Sequence, residues 1–372
     1  MASLGAVART APTLARVVAL AAGDRLRGVP AGADAVTPAW LSSVLGADVV
    51  AVEPAGGSSG TTDRRRLRIR YGARDAPAGG LPDTVFTKSA PSVRQRITQA
   101  ITGPVEARFY RDLRPRLDLE APVAFGSVWD ERRMTSLVVL EDLVATKGAT
   151  FLDPTTRVDR GEAEQVVVAL ARLHRAFAGE APTGLRTYPD LWATAHGLAN
   201  IERYFLRCFD QAGDLIHPAL AGQGPRAWRA MLASVDAHRS LPATVIHGDV
   251  HLGNWYRTAD GRMGLSDWQV VGVAHGSRDL AYAIASMLTI EDRRAWDDDL
   301  LALYAHEVGG DVDELRRLFR GQLWGALGFW APTYSPPRLM PSDMQPREVS
   351  GEMLRRITTA CADHGAFGAV GV

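Results

Sequence analysis

The spacing of apolar positions changes period partway along this chain. Leu67, Ile69 and Tyr71 alternate with Arg66, Arg68 and Arg70, the period-2 pattern of a half-buried strand with a basic outer face. The cluster Gly56-Gly57-Ser58-Ser59-Gly60 stands before it and predicts a turn. A second strand is expected over Thr84 to Ser89, with Lys88 near its end. From Val105 to Leu117 the spacing puts Phe109, Tyr110, Leu113 and Leu117 on one face of a helix. Glu106 lies one turn before Phe109 and Tyr110 and shares their inward face. Strand-like runs follow at Val123 to Trp129 and Ser136 to Leu140.

From Gly161 onward helical spacing dominates. Val166, Leu170, Leu173 and Phe177 form one stripe, and Leu315, Leu318, Leu323, Leu327 and Trp330 form another. Short extended pieces interrupt the helices at Thr244 to Ile246, Trp255 to Arg257 and Met263 to Ser266. The pattern predicts an α+β chain in two lobes. A leader, flexible or helical, occupies residues 1–35, a β-rich lobe residues 36–143 and a helical lobe residues 144–372, joined near Glu141.

Composition narrows the classes. A chain of 372 residues suits two lobes better than one average core. With 46% apolar and 23% charged residues it is globular rather than disordered. Lys plus Arg and Asp plus Glu both number 42, so no overall field favours nucleic acid or an anionic membrane. Neither is expected as a partner, and no apolar run reaches the length of a spanning helix. Met1 to Gly23 contains arginines and no acid, but Arg16 interrupts its apolar centre, unlike a secretory signal. Two cysteines, Cys208 and Cys361, cannot build a disulfide framework, and a cytoplasmic setting is expected.

The chemistry is concentrated in His247-Gly248-Asp249-Val250-His251-Leu252-Gly253-Asn254, followed thirteen residues later by Asp267. Phosphoryl transfer needs a base to orient a hydroxyl and oxygen ligands for the metal that accompanies a triphosphate. Protein kinases set their metal-binding Asn five residues after the base, with a metal-binding Asp further on. Asp249 is the candidate base, and Asn254 and Asp267 are the candidate Mg²⁺ ligands, because Mg²⁺ prefers oxygen. An Asx-turn loop would explain one of these residues, but not three at these spacings. His247 and His251 also suit a zinc-chelating H-x-D-x-H, although the further ligands of such a site are missing nearby.

The octapeptide with its trailing aspartate resembles the signature of the aminoglycoside phosphotransferase and choline kinase-like family. Leu137 to Leu143 and Asp267-Trp268-Gln269 are most similar to its ecdysteroid kinase-like branch. The resemblance runs from about Gly56 to Leu288 and implies a bilobal protein-kinase-like fold that phosphorylates small molecules. It implies that Lys88 meets nucleotide phosphates beside Glu106. It also implies that Gly57, Ser58 and Ser59 offer backbone amides to the phosphates, and that Glu141 and Leu143 flank the purine. His247 and His251 then take structural roles, and Asp279 anchors the catalytic loop.

Chain order supports this: glycine-rich turn, Lys88, Glu106, Glu141, Asp249, Asn254 and Asp267 follow the kinase sequence throughout. Gly248 replaces the arginine of many protein kinases, and eleven residues separate Asp267 from Asp279, too few for a regulatory loop and peptide platform. The expected activity is ATP- and Mg²⁺-dependent transfer of the γ-phosphate to a small-molecule hydroxyl. The alternatives are a catalytically silent nucleotide-binding protein of the same fold, and a metallohydrolase centred on His247, Asp249 and His251.

The acceptor is less defined. Trp268, Trp324, Phe329, Trp330 and Tyr334 either line its pocket or belong to helix core. Pro332 to Pro346 is either a lid or a surface loop. Asp297-Asp298-Asp299 reads as a solvated helix face, and Arg64-Arg65-Arg66 with Arg68 and Arg70 as an exposed strand edge. Sequence leaves open the acceptor's identity, the choice of ATP or GTP, and the oligomeric state.

Overall fold

The computed structural model describes residues 30–59, 62–72, 80–92, 95–96, 104–130, 135–336 and 345–372. Helix α1 (Pro38–Leu45), capped by the Thr37 hydroxyl, leads into strand β1 (Val49–Ser59). Strands β2 (Asp63–Tyr71) and β3 (Thr84–Ser89) follow. A helical segment, α2 (Val105–Arg108), comes next, and β4 (Ala124–Asp130) and β5 (Thr135–Glu141) complete the sheet. Its order is β1-β2-β3-β5-β4, antiparallel throughout.

The sheet is two-sided, and the period of two decides what each face carries. Leu67 and Ile69, Val85, and Leu137 and Val139 share one face and pack with Leu41 of α1 in a small core. Phe86, Val138 and Leu140 belong to the opposite face and join the large core instead. Strand β2 lies between β1 and β3, so its arginines do not form a sheet edge as expected. The glycine cluster also differs from expectation. Gly56 to Ser59 is the irregular end of β1, and Gly60 lies outside the described residues. Gly57 has φ 155°, and a Cβ there would lie 2.3 Å from the Arg64 carbonyl oxygen, so the hairpin can close only over glycine. The leader expected over residues 1–35 falls mostly outside the described residues, but Ala33 is already buried in the small core.

The helix predicted over Val105 to Leu117 keeps its buried face and changes its pitch. It widens to a π-turn over Phe109–Leu113 and tightens to a 3₁₀ turn over Arg114–Arg116. Pro115 lacks an N–H and ends the regular ladder.

The second lobe begins with α3 (Leu143–Lys147) and the short β6 (Thr150–Phe151). Helix α4 (Arg160–Ala176) starts at a reciprocal Asp159–Glu162 capping box, and Val166, Leu170, Leu173 and Phe177 are wholly buried. Helices α5 (Tyr188–Ala199), α6 (Ile201–Gln211) and α7 (Gly224–Ala237) follow. The segment that carries the His247–Asn254 octapeptide folds into β7 (Thr244–Ile246), β8 (Trp255–Arg257), β9 (Met263–Leu265) and β10 (Gly272–Ala274). β7 pairs with β10, and β8 pairs with both β6 and β9.

Helices α8 (Ser277–Met287), α9 (Ile290–Val308), α10 (Val312–Tyr334) and α11 (Arg347–Asp363) close the lobe. Helix α10 packs on α8 and α11 and buries Leu315, Leu323, Leu327 and Trp330, while Leu318 is half-buried. The acidic triplet of α9 is not simply solvated. Asp297 is buried between Arg293 and His364, and Asp298 and Asp299 pair with Arg316 and Arg160. Cys208 and Cys361 are both buried free thiols. Among the described residues no helix is long and apolar enough to cross a membrane.

Candidate active site

The loop after β7 is shaped by a glycine and an aspartate. Gly248 has φ 86°, and a Cβ there would meet the Val270 carbonyl oxygen at 2.5 Å. No side chain fits where many kinases carry arginine. Asp279, in the first turn of α8, accepts hydrogen bonds from the His247 N–H (2.7 Å) and the Gly248 N–H (3.1 Å). Burial alone would raise its pKa, but the His174 imidazole 3.5 Å away and the Arg278 guanidinium outweigh burial and hold it at about 2.

Both ring nitrogens of His247 are engaged locally. Nε2 donates to the Ser266 carbonyl (2.9 Å) and Nδ1 accepts from the Asp249 N–H (3.2 Å). Burial lowers the pKa of this imidazole against the pull of the Asp279 and Asp249 carboxylates, favouring the neutral ring that the two bonds require. A histidine so committed has no lone pair free for zinc. Among the described residues no three His, Cys, Asp or Glu side chains are grouped to hold a metal.

His251 Nδ1 accepts from the Gly253 N–H (3.0 Å), and its Nε2 lies 3.6 Å from Asp249 Oδ1. That same carboxylate oxygen accepts the Tyr282 hydroxyl at 3.1 Å. The Asn254 amide nitrogen donates to the Asp249 carbonyl (2.7 Å), leaving its Oδ1 for an electropositive partner. Asp267 adopts φ 63°, and the following Trp268 is stacked on Phe109, with ring centroids 3.8 Å apart. Lys88 Nζ donates to Asp267 Oδ1 (2.9 Å) and to Glu106 Oε1 (2.6 Å), and Arg64 Nη2 donates to Asp267 Oδ2 (3.1 Å). Burial works to raise Asp267, but Lys88 and Arg64 prevail and hold it below the usual carboxylate range. Burial, reinforced by the Asp267 charge, pushes Glu106 up against the pull of Lys88.

These groups converge on a cavity of about 610 Å³ between the sheet and the helical lobe. Lys88, Asp249, Asn254 and Asp267 line it together with Ser58. Of the other two glycine-segment candidates, Gly57 presses on Arg64 and Arg65, and Ser59 ends β1. Phe86, Leu140, Glu141 and Leu143 belong to the same lining. The Glu141 carboxylate is occupied by the Val123 N–H and the Thr146 hydroxyl, so its backbone is what it can offer a ligand. Leu143 opens α3, where an N–H has no carbonyl within the helix. His251, Phe329, Trp330, Thr333 and Gln345, from the helical lobe, line the cavity as well.

The aromatic candidates therefore divide. Phe329 and Trp330 line the cavity, whereas Trp268 stacks on Phe109 and Trp324 donates to the Ala366 carbonyl in the core. Tyr334 accepts from Arg347 instead. Of Pro332 to Pro346, residues 337–344 lie outside the described residues.

Sequence reasoning missed Tyr282, Arg64 and the pair Arg66–Asp142 (2.9 Å), which ties β2 to the connector. A signal existed for Tyr282, three residues after Asp279 on the same helix face. The donor set suits Mg²⁺. A carboxylate and a carboxamide oxygen face one cavity, and Mg²⁺ takes its remaining ligands from water and phosphate rather than from a protein cage.

Comparison with known proteins agrees with this architecture. The model of the phosphotransferase enzyme family (APH) matches residues 79–318, more than half of the chain. The structure of LicA in complex with AMP superposes with a TM-score of 0.50 at 14% identity, covering 88% of this chain and 97% of that one. Choline kinase LicA from Streptococcus pneumoniae gives 0.48 at 13% identity, covering 87% and 96%. A microcompartment-associated aminopropanol kinase gives 0.49 at 14%, covering 88% and 95%. No curated protein sequence matches the chain. The likeness to the AMP complex shows the bilobal kinase-like fold, and the match over residues 79–318 makes this chain a member of the phosphotransferase enzyme family.

Proposed function

We propose that this phosphotransferase moves the γ-phosphate of ATP to a hydroxyl of a small molecule. Residues 36–143 bind the nucleotide, and residues 144–372 carry the catalytic loop and the acceptor site. The observation that carries this reading is the convergence of Lys88, Asp249, Asn254 and Asp267 on one cavity. It suits in-line transfer, in which positioning and charge stabilisation do most of the work.

Asp249 acts as the base. Its Oδ1 is held by Tyr282, which leaves Oδ2 to take the acceptor proton as the new O–P bond forms and the bond to ADP breaks. Lys88, steadied by Glu106, binds the phosphates, and the Gly57, Ser58 and Ser59 backbone covers them. The Glu141 carbonyl and the Leu143 N–H meet the purine edge. Asn254 and Asp267 hold Mg²⁺, which when bound neutralises the charge of the phosphate oxygens. His247, His251 and Asp279 fix the loop.

Phe329 and Trp330 give the cavity an apolar stretch of wall, suited to a fairly apolar alcohol. Two buried thiols, with Cys208 pushed up to about 12 by burial, suit a reducing, cytoplasmic setting.

A thermal-shift panel of ATP and GTP with Mg²⁺, followed by an acceptor screen for ATP consumption, tests the assignment. The expected product carries phosphate on a hydroxyl. A protein that ignores nucleoside triphosphates, or only releases inorganic phosphate with every alcohol, would overturn it. Tyr282→Phe should lower kcat about tenfold, the worth of one hydrogen bond to a charged group, with KM for ATP unchanged. Steady-state kinetics on both substrates would reveal the split, and an unchanged kcat would remove Tyr282 from positioning Asp249.

A further inference from the structure

Asp267 is the candidate metal ligand, yet in this structure its carboxylate carries two cations. Lys88 reaches Oδ1 and Arg64 reaches Oδ2. The two are cross-strand partners, Arg64 of β2 opposite Lys88 of β3, and such partners project from the same face of a sheet. Their surroundings differ. The Lys88 side chain is only 7% exposed and is held from its other side by Glu106. Arg64 is 37% exposed, and Asp267 is the acceptor that holds its guanidinium.

We propose that Arg64 is a second phosphate-chain ligand, parked on Asp267 until nucleotide arrives. This rests on the phosphotransferase reading above. A carboxylate that binds a divalent cation cannot keep two further cations at hydrogen-bond distance without strong like-charge repulsion. The more exposed of the two, with no other acceptor among the described residues, is the one displaced. Arg64 lines the same cavity as Lys88, Asn254 and Asp267, and a guanidinium fork matches phosphate oxygens in bidentate geometry. The neighbouring Arg66 is not equivalent, because the Asp142 carboxylate on the connector holds it. The Arg64–Asp267 pair thus holds the guanidinium beside the cavity and supplies a cation when the polyphosphate enters.

The test is binding rather than turnover. Calorimetric titration of the full chain with ATP and Mg²⁺, and separately with adenosine, compares the parent with Arg64→Gln and Arg64→Lys. Arg64→Gln is expected to weaken ATP about tenfold or more and to leave adenosine unchanged. Arg64→Lys should recover part of the loss, because it keeps charge without the fork. Circular dichroism checks that each variant is folded.

If Arg64 only straps the two lobes together, Arg64→Gln would lower the melting temperature while ATP binds as in the parent, and the proposal is wrong. Equal weakening of ATP and adenosine would also overturn it. A parent protein that binds neither ligand would instead remove the phosphotransferase reading on which the proposal stands.

Discussion

Asp249→Asn should reduce phosphate transfer by about 10²–10⁴-fold, the usual worth of a positioned general base, while the protein folds and binds nucleotide as before. Asparagine keeps the shape of the side chain and an oxygen to accept the Tyr282 hydroxyl, which lies 3.1 Å from Asp249 Oδ1. It cannot take the acceptor proton. The nucleotide ligands are on other residues, so the thermal shift with ATP and Mg²⁺ should match that of the parent. The loss should appear in kcat with little change in KM for ATP, as expected for an interaction specific to the transition state. Single-turnover measurements with labelled ATP would decide the matter. Transfer within tenfold of the parent rate would mean that the base is another group.

Asp279→Asn is expected to destabilise the fold by about 3 kcal/mol, because removing one member of a buried ion pair leaves the other uncompensated. Asp279 is fully buried, with Arg278 at 3.3 Å and two catalytic-loop amides bonded to its carboxylate. Urea unfolding at neutral pH measures the difference. The effect has a predictable pH dependence. The folded carboxyl is held at about 2, below its unfolded value near 3.9. Its contribution, roughly 3 kcal/mol by linkage, is therefore complete above about pH 4 and drains away as the pH falls toward 2. The gap between parent and variant should narrow over that interval. A gap that is small at neutral pH and grows on acidification would contradict the role given to Asp279. Activity should fall as well, even at temperatures where the variant stays folded, because one of the two carboxylate oxygens that receive the His247 and Gly248 amides becomes an NH₂ group that cannot accept them.

Much of the local structure could be read from residue order. β3, β7 and β8 occur where short apolar runs placed them, since a strand of a few residues between turn formers has few alternatives. Local periodicity put Lys88 at a strand end and Glu106 on an inward helix face, and the family resemblance implied that the two meet, as they do at 2.6 Å. The glycine segment was misjudged because an irregular strand end and a turn use the same residues, and only pairing with Arg64 and Arg65 tells them apart. The β2 arginines were misjudged because alternation gives two faces without saying what covers each. The second face of this sheet meets the helical lobe, so Arg64 and Arg66 find carboxylates more than seventy residues away.

By itself, then, the sequence determined the lobes, the order of the elements and the spacing of Asp249, Asn254 and Asp267, because these depend on side-chain period and on neighbours close along the chain. Tertiary structure decided which aromatic side chains face the cavity, how Tyr282 meets Asp249, and that Arg64 rests on Asp267. Those outcomes depend on how the sheet and α10 pack against the catalytic loop. Such contacts join residues far apart in the chain, and no local period encodes them.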